Sequence, residues 1–389
     1  MTVAGIDRAA LADTLKRVGA DGWLLYDFLH ANPVATRVLG LGGLGKRRLF
    51  VWLPAQGNPV AVAHRIELQP MEDFPGEVRP YAAWQELHDA LGGVVRGRRV
   101  AMEVFPEDAV PYLDRVPAGV VQLVEKLGGT VVPSAELVTR FAAGWSSAER
   151  KDHEAAAELL ADIARTTLAD VLRQPGKAEE YAVQQQVLER MRGRGLQTTD
   201  PPIVAFGANA ANAHYEPSAD RRVVLEANQV VLLDLWGGRS LQTVFADQTW
   251  MGFAGSAPPD DVRRVWEIVR DARDTAIEHL RRAHAAGESV TGAALDATAR
   301  AHITEHGYGE YFIHRLGHSI DTELHGSGPH LDGFETNDVR QLVPGIGFSV
   351  EPGIYLPGKF GVRSEVNVML LEEGPVVTPR EPQARLLTA

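Results

Sequence analysis

Two hydrophobic rhythms alternate along this chain. Residues 9–20 (AALADTLKRVGA) place apolar side chains at helical spacing and stop at a glycine, which predicts an amphipathic helix. Short apolar runs rich in β-branched and aromatic residues follow: GWLLYDF (22–28), RRLFVWL (47–53) and NPVAVAH (58–64). RRVAMEVF (98–105) and GTVVPSAEL (129–137) repeat that strand signature between helical stretches. The alternation predicts an α/β domain around a mixed or parallel sheet.

The rhythm lengthens near residue 145. Ser146-Ser147-Ala148-Glu149 fits a capping box, and alanine and leucine then recur at helical spacing through Leu172. Pro175-Gly176 ends that helix, and residues 178–195 form a second. Strand-like segments come next: PPIVAFGANAANAHYEP (201–217), VVLLDLWGG (230–238) and VFADQTWMGF (244–253). Helices from Pro259 to about Ala286 and from Thr291 to about His306 follow. YFIHRLGH (311–318), GIGFSVEPGIY (345–355) and GVRSEVNVMLL (361–371) return to the strand pattern. The expected organisation is an α/β domain over 1–145 and an α+β domain over 146–389, with helices backing a curved sheet. Two helical stretches, each attached to strands, hint at an internal duplication.

Composition narrows the function classes. The 389 residues suffice for two domains, and 45% apolar with 23% charged residues is ordinary for a globular protein. A formal charge of −12 argues against nucleic acid and anionic lipid as partners, since phosphate binding needs a basic face. With no cysteine, disulfides, thiolate nucleophiles and Cys-type zinc sites are excluded. The N-terminal 21 residues read as an amphipathic helix and not a signal peptide, and no apolar run is long enough to span a bilayer. The expectation is a cytoplasmic protein.

Candidate chemistry concentrates in the second half. Asp234, Asp247, His318, Glu351 and Glu365 each sit in a short motif: LLDLW, FADQTW, RLGHSI, SVEPGIY and GVRSEV. Two Asp, one His and two Glu make a ligand set for two adjacent divalent cations, because four carboxylates balance the four positive charges. Without cations, four carboxylates in one pocket would repel and some would stay protonated. Most lie in or beside apolar, strand-like runs, which hold a carboxylate rigidly. One histidine against four carboxylates favours a hard ion, Mn²⁺, with Co²⁺ or Zn²⁺ as substitutes. Such a site generates a hydroxide nucleophile at neutral pH and predicts a hydrolase.

These motifs resemble the metallopeptidases of the pita-bread fold: methionine aminopeptidase, aminopeptidase P and prolidase. The resemblance covers residue 150 or so to the end. The first half is similar to the N-terminal α/β domain of the aminopeptidase P, prolidase and creatinase branch, which implies Xaa-Pro substrates. By this resemblance Asp234 would bind one metal, Asp247 and Glu365 would bridge both, and His318 and Glu351 would hold the other. Glu351 would be general base, His214 would contact substrate near the scissile bond, and His325 would stabilise the tetrahedral intermediate. His314 and Arg363 would orient ligands.

Departures are few. The stretch between Asp234 and Asp247 is slightly long. Asp321 and Gly326 stand where glycine and an acidic residue are common, and Ser364 where an apolar residue is usual. Prolidases carry an arginine for the substrate carboxylate where Asn337 aligns here; Arg340 and His330 are the nearby candidates. The resemblance implies an Xaa-Pro dipeptidase, with an Xaa-Pro aminopeptidase as the alternative. A metal-free creatinase-like hydrolase or a peptide-binding scaffold is disfavoured by the complete ligand set. It also implies a homodimer in which the loop YDFLHANP (26–33) could approach the partner's site.

Overall fold

The computed structural model describes residues 5–42 and 45–389. The chain divides into two compact units, Met1–Ala143 and Gly144–Ala389. Among the described residues, no helix is long and apolar enough to cross a membrane. The N-terminal helix expected from Met1 onward begins at Arg8; residues 1–4 lie outside the described residues.

The first unit contains, in order, α1 (Arg8–Val18), β1 (Gly22–Asp27), α2 (Pro33–Leu39), β2 (Leu49–Pro54), β3 (Val60–His64) and β4 (Glu77–Tyr81). It continues through α3 (Trp84–Val95), β5 (Arg99–Met102), α4 (Ala118–Lys126), β6 (Thr130–Pro133) and α5 (Ala135–Phe141). The strands form one mixed sheet in the order β4-β3-β2-β1-β5-β6. The apolar runs that announced β1 and β2 are continuous because both sheet faces are covered. Trp23, Leu25, Val51 and Leu53 pack with α1, α2 and α5 on one face; Leu24, Tyr26, Phe50 and Trp52 pack with α3 and α4 on the other. Strand β4, EVRPY, escaped the sequence reading: it is a polar edge strand with a proline, a composition that an edge tolerates.

The second unit opens with α6 (Ser147–Val171) and α7 (Glu180–Gly193). The expected capping box is present: Glu149 N–H donates to Ser146 Oγ at 3.2 Å and Ser146 N–H to a Glu149 carboxylate oxygen at 2.7 Å. Then come β7 (Ile203–Phe206), β8 (Val230–Gly237), β9 (Ala246–Phe253), α8 (Asp260–Ala286) and α9 (Gly292–Glu305). The last stretch holds β10 (Ser319–Ile320), β11 (Gly347–Val350), β12 (Gly353–Leu356), β13 (Phe360–Arg363), β14 (Val366–Leu371), β15 (Gly374–Thr378) and β16 (Leu387–Thr388). Two four-stranded sheets result, β16-β9-β8-β7 and β10-β11-β14-β15, with β12-β13 as a separate hairpin.

Period-2 alternation decides which residues of β8 and β9 face the helices. Val231, Leu233, Leu235, Ala246 and Trp250 pack against α6 and α7. Asp234, Trp236, Asp247 and Thr249 therefore share the opposite face. Buried His153 on α6 ties the two sheets together, its ring nitrogens bonding the Phe245 carbonyl (2.9 Å) and Thr378 Oγ1 (2.8 Å). Burial lowers its pKa to about 4, so it serves as a neutral strut.

Two segments differ from their expected strands. Only Ile203–Phe206 of the 201–217 segment is extended; Gly207–Ala211 turns as a 3₁₀ helix. YFIHRLGH contains no strand. Side chains of α9 hold its first part, Arg300 donating to the carbonyls of Phe312 and His314 (both 2.8 Å) and Leu316 N–H to Asp296 Oδ1 (2.9 Å), while Gly317 makes an isolated bridge with Leu331 and the Leu316 carbonyl accepts from Glu351 N–H (2.8 Å). Gly317 passes so close to β11 that a Cβ there would stand 2.1 Å from the Ser349 carbonyl oxygen.

Candidate metal centre

The five sequence-selected side chains come from separate elements and converge where the two sheets of the second unit adjoin. Asp234 on β8 pairs in register with Thr249 on β9, and Trp236 pairs with Asp247, so the two aspartates are diagonal neighbours on one face. Asp247 N–H donates to Asn367 Oδ1 on β14 at 2.8 Å, which joins the sheets at this point. Glu351 and Glu365 follow and precede the last register pair of the second sheet, Val350–Val366. His318 lies just before β10, its carbonyl accepting from Ser349 N–H at 2.9 Å.

The geometry is tight. His318 Nε2 stands 3.4 Å from both Asp247 Oδ2 and Glu351 Oε1. Ligand atoms of Asp247, His318 and Glu365 all lie within 4.8 Å of one another. Asp234 joins through Arg363, whose guanidinium contacts Asp234 Oδ2 directly and donates from Nε to Thr249 Oγ1 at 2.8 Å. That contact fixes the direction of the next bond. Arginine can only donate, so the Thr249 hydroxyl spends its proton on Glu365 Oε2, 2.8 Å away.

A matching hydroxyl serves the other sheet. Ser349 Oγ accepts from His318 N–H and donates to Glu351 Oε1, each at 2.9 Å. Tyr355 completes the support: its hydroxyl accepts from Arg363 Nη1 at 3.2 Å and bonds His314 Nε2 at 2.8 Å. His314 Nδ1 faces the Arg315 carbonyl at 2.7 Å, so its proton is there and Nε2 accepts from tyrosine. Burial lowers the His314 pKa to about 4 and raises that of Tyr355 to about 12, which keeps both neutral.

Charge in this pocket is out of balance. Burial raises the Asp234 pKa to about 7, with Asp247 and Glu351 adding to the rise and Arg363 opposing it. Burial likewise raises Asp247 and lifts Glu365 well above the carboxylate range, where Asp247, Glu351 and Asp234 add their repulsion. Burial alone would raise Glu351 too, but the charges of His318 and Arg363 and the Ser349 hydrogen bond outweigh it and hold that carboxyl low. Burial opposes charging His318, yet Asp247 and Glu351 prevail and its pKa rises.

A donor set of this kind fits cations. Asp234 Oδ1, Asp247 Oδ1 and Glu365 Oε1 are buried and meet no hydrogen-bond donor. Buried carboxylate oxygens without a partner are costly unless a positive charge faces them. His318 Nδ1 contacts the Ser319 carbonyl at 3.1 Å, which assigns the proton to Nδ1 and leaves Nε2 to offer a lone pair to a metal.

The other sequence candidates fall around this cluster. The His325 ring meets that of His318 edge-on, with centroids 4.4 Å apart at 72°. Desolvation in the cleft, then the charge on His318, lowers its pKa. His214 is exposed on the segment after β7. Arg363 Nη1 holds the Ala213 carbonyl of that segment at 3.2 Å, and buried Glu180 accepts from Phe206 N–H, Asn209 Nδ2 and the Tyr215 hydroxyl. Ser364 is explained by Arg273, a buried arginine whose Nη1 donates to Ser364 Oγ at 2.7 Å.

Arg340 does not sit as a carboxylate anchor. Arg340 is buried and spends its donors on Asp338 and the carbonyls of Ser327 and Gly328, so it braces a loop. His330 Nδ1 accepts from Ser319 N–H at 3.3 Å, and burial, then the charges of Arg315 and Arg340, lowers its pKa well below the usual range. Conversely, Thr249, Ser349, Tyr355 and Asn367 were missed. Thr249, Ser349 and Asn367 had a signal: each lies two positions from an acidic candidate in or beside its own strand, hence on the same face.

Comparisons with known proteins agree with this geometry. Residues 151–372 match metallopeptidase family M24. An Xaa-Pro dipeptidase of Lactobacillus delbrueckii subsp. lactis is 40% identical over 179 residues, 46% of this chain and 44% of that protein. The chain thus aligns with less than half the length of this relative. The crystal structure of the dipeptidase PepE from Mycobacterium ulcerans superposes with a TM-score of 0.75 at 25% identity, over 98% of this chain and 96% of that one. A recombinant prolidase from Thermococcus sibiricus gives 0.70 at 25% identity, over 99% and 100%. The fold is the pita-bread arrangement these proteins share, preceded by the smaller α/β unit. A family match across more than half of the chain, centred on the elements that converge here, decides its membership: this chain belongs to metallopeptidase family M24.

Proposed function

We propose that this protein is a metal-dependent Xaa-Pro dipeptidase. The observation that carries the reading is the set of four carboxylates and one imidazole, all buried except half-buried Glu351, with three oxygens that meet no donor, on a fold shared with prolidases. Asp234, Asp247, His318, Glu351 and Glu365 would hold two divalent ions, Mn²⁺ by their oxygen-rich donor set. Bound cations supply an activated water nucleophile and polarise the scissile carbonyl. Glu351, held ionised by its cationic neighbours and fixed at Oε1 by Ser349, takes the proton from the attacking water. His325 donates to the oxyanion of the tetrahedral intermediate, and His214 contacts the substrate beside the scissile bond. Xaa-Pro is a tertiary amide with no N–H to grip, so activation must come from the carbonyl side.

Peptide length separates dipeptidase from aminopeptidase. Ala-Pro is expected to be hydrolysed with a higher kcat/KM than Ala-Pro-Ala; the reverse order assigns the aminopeptidase activity. Thr249→Val keeps the side-chain shape but removes both the bond to Glu365 and the acceptor of Arg363 Nε. The expected result is a Mn²⁺ affinity lower by roughly tenfold, read by calorimetric titration, with the fold intact. Unchanged affinity contradicts the role given to Thr249.

We also propose a homodimer in which the loop at 26–33 meets the second copy. Leu29 and His30 hold φ values of 63° and 56°, the left-handed region that such residues rarely adopt, and Phe28 and Leu29 are exposed. Asp27 braces the turn by accepting from His30 and Asn32 N–H. Light scattering should give two chains per particle; a monomer contradicts this proposal.

A further inference from the structure

By the sequence resemblance, the turn that carries His325 holds two departures, Asp321 and Gly326, and the structure brings them together. Asp321, where glycine is common, is buried. Its Oδ1 accepts from Glu323 N–H at 2.8 Å, and its Oδ2 accepts from Ser327 N–H at 2.9 Å and Ser327 Oγ at 3.1 Å. The backbone closes the same turn, with Asp321 N–H on the Glu323 carbonyl (3.1 Å) and Gly326 N–H on the Ser319 carbonyl (2.7 Å). One carboxylate thus ties both ends of the segment between which His325 is held.

Gly326, where an acidic residue is common, is the counterpart. A Cβ there would stand 2.8 Å from Asp321 Cγ and Oδ2 and 2.9 Å from its backbone nitrogen, closer than real side chains approach. Gly326 is not among the glycines with positive φ, so its conformation does not demand glycine; the space taken by the Asp321 carboxylate and backbone nitrogen does.

We propose that Asp321 is a positioning residue for His325, and that residues 321 and 326 act as one coupled pair. This rests on the catalytic reading of His325 above. Rigid placement matters because a donor aimed at a developing oxyanion acts only when held where the charge appears.

The test compares Asp321→Ala, Gly326→Ala, His325→Ala and the double variants Asp321→Ala/His325→Ala and Asp321→Ala/Gly326→Ala in the metal-loaded enzyme. Kinetics on Ala-Pro are read beside metal content and amide hydrogen exchange over 321–328. His325→Ala is expected to lower kcat on the order of 100-fold. Asp321→Ala should lower kcat about tenfold with KM and metal content unchanged, and should speed exchange at the Glu323 and Ser327 amides. It should cost nothing further once His325 is gone. Gly326→Ala should lower kcat at least as much as Asp321→Ala, and Asp321→Ala should relieve it only in part, because the Asp321 backbone nitrogen still crowds a Cβ at 326.

An Asp321→Ala effect that adds in full to His325→Ala, or a harmless Gly326→Ala with Asp321 present, overturns the positioning role. So does full kcat in Asp321→Ala beside a crippled His325→Ala, which leaves the catalytic reading standing. Undiminished kcat in His325→Ala overturns the catalytic reading of His325 and the positioning role with it.

Discussion

Asp247→Ala and Glu365→Ala are each expected to reduce kcat/KM for Ala-Pro by roughly 1,000-fold or more, about 4 kcal/mol of lost transition-state stabilisation. Asp247 lies between the two sheets. Its Oδ2 is 3.4 Å from His318 Nε2, and its Oδ1 meets no donor. The bond from its backbone N–H to Asn367 does not involve the side chain, so alanine leaves the junction of the sheets in place. Glu365 is equally specific, fixed at Oε2 by Thr249 with Oε1 unpartnered. Both variants should also lose bound metal. A second signature separates this from simple damage. Removing one of several buried, mutually repelling carboxylates relieves the chelated protein, so its Tm should rise or hold while activity vanishes. A variant that keeps substantial turnover, or one that loses turnover only by unfolding, contradicts the assignment.

Chelation should destabilise the protein, and by more as pH rises. The sign follows from the raised carboxylates. Asp234 titrates at about 7 in the folded chain and near 3.9 when unfolded. Between those values the folded chelated protein holds a proton that the unfolded chain has released, so its stability falls as pH rises through the window. Asp247 and Glu365 are raised as well, and His318, also raised, loses its contribution as pH climbs past its folded value. Bound cations replace those protons and favour the ionised carboxylates. At metal concentrations 100 times Kd they stabilise the fold by about 2.7 kcal/mol through mass action. The Tm gap between metal-loaded and chelated protein should therefore widen from pH 5 to pH 8 in a thermal scan. A gap that is constant or narrows argues that the carboxylates are not charge-compensated by metal.

Much of this was legible beforehand because it depends on local rules. The capping box at Ser146–Glu149 opens α6 as its spacing requires, and the apolar runs around Asp234 and Asp247 became β8 and β9. What failed to show depends on partners distant in sequence. YFIHRLGH carries the apolar content of a strand, but the Asp296–Arg300 pair on α9 captures the carbonyls of Phe312 and His314 and the N–H of Leu316, so only its last residues pair with other backbone. Arg340 looked available for a substrate because nothing in the sequence reveals that Asp338 and two loop carbonyls enclose it. The role of Thr249 emerges only when β8, β9 and the Arg363–Glu365 segment are brought together. Side chains that support others are chosen by geometry, and only those that offer charge stand out in a motif.

The most direct test is anomalous diffraction from crystals soaked in Mn²⁺. Two peaks enclosed by Asp234, Asp247, His318, Glu351 and Glu365 are the predicted result. A map without anomalous density among these five side chains, in crystals whose protein still hydrolyses Ala-Pro, would contradict the account.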